Sequence, residues 1–404
     1  MQVPGRERGN GVPSFTTRLL LLVLLVAIVG QGCGGQAAVR SVPGSAAPAG
    51  STAPAVPRPK PLQVGLAYGE TLQGLSQADL ARTLDDAVAL GVGWLRVDLS
   101  WDAIQPTSPS LFDWTAFDRV VAAAVARHLQ VLPTLGFTPS WARLAGCGSD
   151  KCAPANPDQF AYFASQAVAR YAPLGVHTWE IWNEPNLYTF WKPVPDPAEY
   201  VRLLRATTTT MRATDPTATL ISGGLAPAST TRITRAPVDF LASFCQDGGG
   251  RLVDAIGYHP FSFPAPPSYR ASWNAWDQIA GTERNVEGVL ASCGVPTTKL
   301  WLTEYGAPTG GPGLAATSSN YQTATSQDHV SEAFQATLAT EAVQLSQSSP
   351  SIAALFWYSY QDAGTDQRNR EDFFGLVRAD GTPKPAYAAL RNAVAALHSG
   401  HSAG

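Results

Sequence analysis

The chain has 404 residues, 45% of them hydrophobic, and a formal net charge of −3. That is ample apolar mass for one large core, and the near-balance of charge, with no basic cluster or arginine stripe, argues against nucleic acid as a partner. Five cysteines without a CxxC and six scattered histidines without an HExxH give no metal-ligand spacing, so neither metal nor cofactor is expected.

Arg6, Arg8 and Arg18 precede an unbroken apolar run of 11 residues, 19–29. This is the layout of a secretory signal, and it falls short of the roughly 20 helical residues needed to cross a hydrocarbon core of about 30 Å. The chain is therefore expected to be exported, to the extracellular space or the cell surface. The small residues that run into Cys33 resemble a bacterial lipoprotein signal, which implies lipid attachment at Cys33 and a membrane tether. Gly30 stands where such signals usually carry an apolar residue, and cleavage near Gln36-Ala37-Ala38 is the alternative. Residues 1–33 thus read as a signal peptide of lipoprotein type. Residues 34–61, rich in Pro, Ala, Gly and Ser, read as a disordered linker that cannot form a core.

Cysteine pairing follows the same line. Without Cys33 an even set remains: Cys147 and Cys152 bracket a four-residue loop and can pair locally, which leaves Cys245 with Cys293. His177 and Glu180 are three apart, a spacing that points them to opposite faces of a strand and so does not make a metal site.

From 62 to 398 the chain alternates short apolar runs with longer helical patterns. The runs lie near 63–68, 93–98, 130–135, 177–183, 219–223, 253–258, 299–304 and 352–358; helical spacing covers 77–90, 114–127, 158–171, 198–213, 282–293, 327–345 and 384–397, with a weaker stretch at 238–245. Eight such units predict an α/β chain with a single (β/α)8 TIM barrel, followed by a tail at 399–404. Barrel sites form at the carboxyl ends of the strands. There the fourth run, Thr178-Trp179-Glu180-Ile181-Trp182, breaks into Asn183-Glu184-Pro185-Asn186, and the seventh, Leu300-Trp301-Leu302-Thr303, ends in Glu304-Tyr305-Gly306. Strands four and seven are three apart around the ring, so Glu184 and Glu304 can face one another across the mouth. Glu180, deeper on the same face as Glu184, reads as a buried structural acid paired with a barrel arginine, and Asp98 has a similar structural claim.

Asn183-Glu184 and Glu304 resemble the signature of the large clan of retaining (β/α)8 glycoside hydrolases that includes families 5 and 39. The likeness to family 39 extends to Leu95-Arg96-Val97-Asp98-Leu99-Ser100-Trp101 with Gln105-Pro106, Phe112-Asp113-Trp114, Thr138-Pro139-Ser140-Trp141-Ala142, Tyr258-His259-Pro260 and Phe356-Trp357-Tyr358. The resemblance implies cleavage of O-glycosidic bonds in an oligo- or polysaccharide, with Glu184 as general acid/base and Glu304 as nucleophile. It also implies Asn183 as donor to the sugar hydroxyl beside the reacting carbon, His259 or Tyr258 as the group positioning Glu304, and Arg96 as the cation favouring ionised Glu304. Trp141, Trp191 and Trp357 are expected to offer faces to sugar rings, as is Tyr188. A monomer is expected. Two other readings are a non-catalytic carbohydrate-binding barrel on the cell envelope, against which both glutamates and Asn183 argue, and a transglycosylase using the same residues.

Overall fold

The computed structural model describes residues 61–322 and 329–399. The expected signal segment, Cys33, nearly all of the expected linker and residues 400–404 lie outside the described residues. Eight parallel strands close into a barrel in sequential order: β1 Gln63–Gly69, β2 Trp94–Ser100, β3 Gln130–Gly136, β4 Thr178–Ile181, β5 Thr219–Ser222, β6 Ala255–Tyr258, β7 Lys299–Tyr305 and β8 Ile352–Tyr358. β8 pairs with β1, so no edge is left open.

Local chemistry explains where the outer helices begin. Pro157, Pro197 and Pro237 open the helices Pro157–Tyr171, Pro197–Thr214 and Pro237–Gln246 at a position whose N–H has no helical partner. Asn156 and Asp196 cap the first two through side-chain oxygens. The helix expected from 282 begins at Val286, because Asn285 is its cap and accepts from Gly288 N. The one expected from 327 begins at Glu332 after the Ser331 cap.

Alternation along the strands divides the apolar residues into two cores. Odd and even positions point to opposite faces, so Ala67, Leu132, Ile221, Ala255, Trp301, Ala354 and Phe356 meet inside the barrel while their strand neighbours pack against the helices. Trp301 and Phe356 stack within it at 6.1 Å between centroids. Gly65 has to be glycine here, since a Cβ would stand 2.5 Å from the Phe356 ring. Above this apolar plug the inward positions turn polar, with Arg96, Thr134, Glu180 and Thr303 all buried.

Two disulfides staple the outside. Cys147 pairs with Cys152 and Cys245 with Cys293, as the cysteine count predicts.

Candidate active site

The polar layer is organised around Arg96. Inward-facing on β2 and 1% exposed, it donates from Nε to Glu180 Oε2 (2.5 Å), from Nη1 to Glu304 Oε1 (2.5 Å) and from Nη2 to Asn183 Oδ1 (2.7 Å). One guanidinium thus fixes residues from β4, the turn after it and β7. Glu180 is fully buried and also accepts from Thr134 Oγ1, Thr303 Oγ1 and Gly224 N. These donors fix its carboxyl group in place, in the structural part expected of it.

Glu184 sits just past the regular part of β4, in a turn where Trp182 and Glu184 take φ values of 74° and 43°. Left-handed backbone at two non-glycine residues is strained, and such strain persists where the surroundings over-determine it. Those surroundings are visible. Glu184 N donates to Gly224 O, and Trp182 N donates to Leu135 O. Gly223 lets the turn approach, since a Cβ there would stand 2.7 Å from Trp182 O.

The His259 imidazole joins the two halves of the site. Its Nδ1 lies 2.9 Å from Glu184 Oε1 and its Nε2 lies 3.0 Å from Thr303 Oγ1. The Thr303 hydroxyl has one proton and gives it to Glu180 at 2.8 Å, so its oxygen accepts from His259 Nε2–H. Neutral imidazole then presents a lone pair at Nδ1. The contact to Glu184 is a hydrogen bond when the carboxyl carries the proton. The electrostatics run the same way: burial holds His259 below its ordinary value, and burial, against Arg96, pushes Glu184 up to about 8. The nearby acids Glu371 and Glu180 also raise it, less than burial does. Glu304 is also raised by burial, with His259 and Arg96 opposing.

One oxygen each of Glu184 and Glu304 and one His259 nitrogen all lie within 4.8 Å of one another. Both carboxyl groups line a cavity of about 800 Å³, with Asn183, Asp98, Phe190, Phe261, Phe263, Tyr358, Glu371 and Phe374 among its walls. A polar floor beneath aromatic walls is the arrangement that holds a sugar ring.

The model of glycosyl hydrolases family 39 matches residues 158–398. The chain belongs to glycosyl hydrolases family 39. A beta-xylosidase of Geobacillus stearothermophilus is 26% identical over 215 residues, 48% of this chain and 41% of that protein. A family 39 glycoside hydrolase from Bacteroides cellulosilyticus WH2 superposes with a TM-score of 0.64 at 23% identity, over 83% of this chain and 64% of that one. For a monomeric beta-xylosidase from Caulobacter crescentus CB15 the values are 0.57, 20%, 82% and 68%. The chain thus spans less than two thirds of the first two, and the likeness to the solved structures is one of fold.

Within this family 39 barrel, several residues singled out in the sequence stand elsewhere than expected. Tyr258 faces outward from β6 and donates its hydroxyl to Ala275 O, so it does not position Glu304. His259 contacts Glu184 more closely than Glu304, whose Oε2 lies 3.8 Å from Nδ1. Trp357 alternates out of the barrel and packs edge-on against Tyr305; its neighbour Tyr358 takes the cavity wall. Trp191 is buried between Trp182 and Tyr200, while Leu187, Thr189 and Phe190 of the same loop line the cavity. The Trp191 and Trp357 indole N–H groups are buried without a partner among the described residues, which marks both as packing. Tyr188 is exposed under Lys192. Trp141 donates to Gln105 O and borders a separate hollow of about 210 Å³.

Sequence reasoning missed Phe261, Phe263 and the segment after β8 that brings Glu371 and Phe374 to the mouth. The length of that segment, 359–384, was a signal for it. Asp98, expected to be structural, lines the cavity as well.

Proposed function

We propose that this chain is a retaining glycoside hydrolase acting on O-linked β-glycosides, with Glu184 as general acid and base and Glu304 as nucleophile. The observation that carries the reading is the carboxyl separation. Retaining enzymes hold the pair about 5–5.5 Å apart and inverting ones about 6.5–9.5 Å, to admit a water. One oxygen of Glu184 lies within 4.8 Å of one of Glu304, which supports the first class.

The chemistry follows from the protonation pattern. Glu304, paired with Arg96, attacks the anomeric carbon while protonated Glu184 gives its proton to the departing oxygen. The glycosyl ester on Glu304 cancels the negative charge there. Glu184, now ionised, takes a proton from the incoming water, and the ester is cleaved with the original anomeric configuration restored.

The substrate class proposed is an oligo- or polysaccharide end bearing a neutral sugar, and β-xylosides come first because the Geobacillus relative is named beta-xylosidase. Export and tethering through Cys33 belong to the same proposal, and two disulfides suit an oxidising compartment. The test is proton NMR of the first sugar released from 4-nitrophenyl β-glycosides (xyloside, glucoside, galactoside, mannoside). The β-anomer is expected before mutarotation; an initial α-anomer overturns retention, and no release from any of the four overturns the assignment to β-glycosides.

A further inference from the structure

The alternation that turns Arg96 into the barrel turns Asp98 in as well, one step nearer the mouth. Asp98 lines the same cavity as Asn183, Glu184 and Glu304. Its backbone carbonyl accepts from Gln73 Nε2 at 2.6 Å, but among the described residues its carboxyl group receives no hydrogen bond. Beside it β1 ends at Gly69, where a Cβ would stand 3.8 Å from Asp98 Oδ2, so no side chain covers the carboxylate from that strand. Burial raises this carboxyl to about 6 although Arg96 pulls the other way. A structural acid in such a place has donors around it, as Glu180 has; Asp98 has open cavity instead.

We infer that Asp98 is the hydroxyl acceptor of the sugar position beside Glu304, its two oxygens receiving a pair of adjacent hydroxyl groups on the side of the ring away from the bond that breaks. The inference rests on the glycosidase reading above. With Asn183 assigned to the hydroxyl next to the reacting carbon, the 3- and 4-hydroxyls are the adjacent pair that remains. A carboxylate accepting two hydroxyls makes two charge-assisted bonds. It also selects. A substituted hydroxyl offers no proton, and a sugar carrying its own carboxylate there sets two like charges together in a site of low dielectric. The glycone is therefore a neutral, unsubstituted sugar.

The test compares wild type, Asp98→Asn and Asp98→Ala on the 4-nitrophenyl β-glycoside that wild type cleaves best, and on its 3-deoxy and 4-deoxy analogues. Asp98→Ala is expected to lose about a hundredfold in kcat/KM on the parent, the scale of one to two hydrogen bonds to a charged group. At least one deoxy analogue costs wild type a comparable factor and costs Asp98→Ala less than about threefold. Asp98→Asn falls between, and carries the test if the alanine variant does not fold. Melting temperatures hold or rise, since no described donor loses a partner. Unchanged kcat/KM in the variants overturns the inference, as do deoxy penalties that persist in full, or a lowered melting temperature with equal losses on every analogue. Failure of wild type on every aryl glycoside overturns the glycosidase reading itself and this inference with it.

Discussion

His259 approaches the carboxyl of Glu184 at 2.9 Å and holds its other nitrogen 3.0 Å from Thr303, whose hydroxyl is committed to Glu180. The residue that decides which end of the imidazole carries the proton is thus neither His259 nor Glu184. It is a threonine one position before Glu304.

Thr303→Val removes that control. The imidazole becomes free to turn its N–H toward Glu184, which stabilises the carboxylate and lowers its affinity for a proton. The expected result is a roughly tenfold or greater loss of kcat, with the alkaline limb of the pH–rate profile moved to lower pH. Thr303→Ser keeps the hydroxyl and restores both. A limb that stays in place in Thr303→Val contradicts the hydrogen-bond assignment.

The pH profile of wild type follows from the same groups. The proposed mechanism needs Glu184 protonated and Glu304 ionised, so the rate is expected to fall as pH rises through about 8, where Glu184 titrates, and to fall on the acid side as Glu304 takes up a proton. Glu184→Gln abolishes the alkaline limb, measured with an activated aryl leaving group that needs no proton. Stability carries the same sign. Because burial raises Glu184 from 4.5 to about 8, its contribution is complete below the unfolded value and is lost as pH rises through the folded one. Wild type should therefore lose melting temperature relative to Glu184→Gln between pH 4.5 and 8.

The fold was legible in the sequence because strand and helix periods are local. Eight apolar runs set the barrel, and the ends of two of them set Glu184 and Glu304. Arg96 was legible through the family resemblance, as the cation beside Glu304. The aromatic wall was not. Whether Trp357 or Tyr358 enters the cavity depends on the parity of β8, and whether Trp191 or Phe190 does depends on a turn whose backbone bends at Trp182 and Glu184. A shift of one residue exchanges wall for core, and composition does not encode it.

Gly224 offers a test of the packing behind the site. A Cβ at this position would stand 2.0 Å from Nε2 of the fully buried His259 ring. Gly224→Ala is expected to cost about 1–3 kcal/mol of stability by overpacking. It should lower kcat at least a hundredfold by displacing the imidazole, an effect of the size a misplaced catalytic group produces. Urea titration and steady-state kinetics on one preparation measure both. A variant with full activity contradicts the placement of His259.

The two disulfides should differ in weight. Cys245–Cys293 closes a separation of 48 residues and Cys147–Cys152 one of 5. Loop-closure entropy predicts about 4 kcal/mol for the longer and about 2 kcal/mol for the shorter. Paired serine substitutions, followed by denaturant unfolding, should lower the midpoint more for the first pair.

In the proposed double displacement, Glu304 forms a covalent bond to the sugar while Glu184 supplies the proton. A 2-deoxy-2-fluoro β-glycoside with an activated leaving group slows breakdown of such an intermediate more than its formation, and mass spectrometry of the digested protein locates the adduct. One added sugar mass is expected on the peptide containing Glu304, absent in Glu304→Ala, whose turnover of an activated aryl glycoside azide restores. A label on the Glu184 peptide, or full activity of Glu304→Ala, contradicts it.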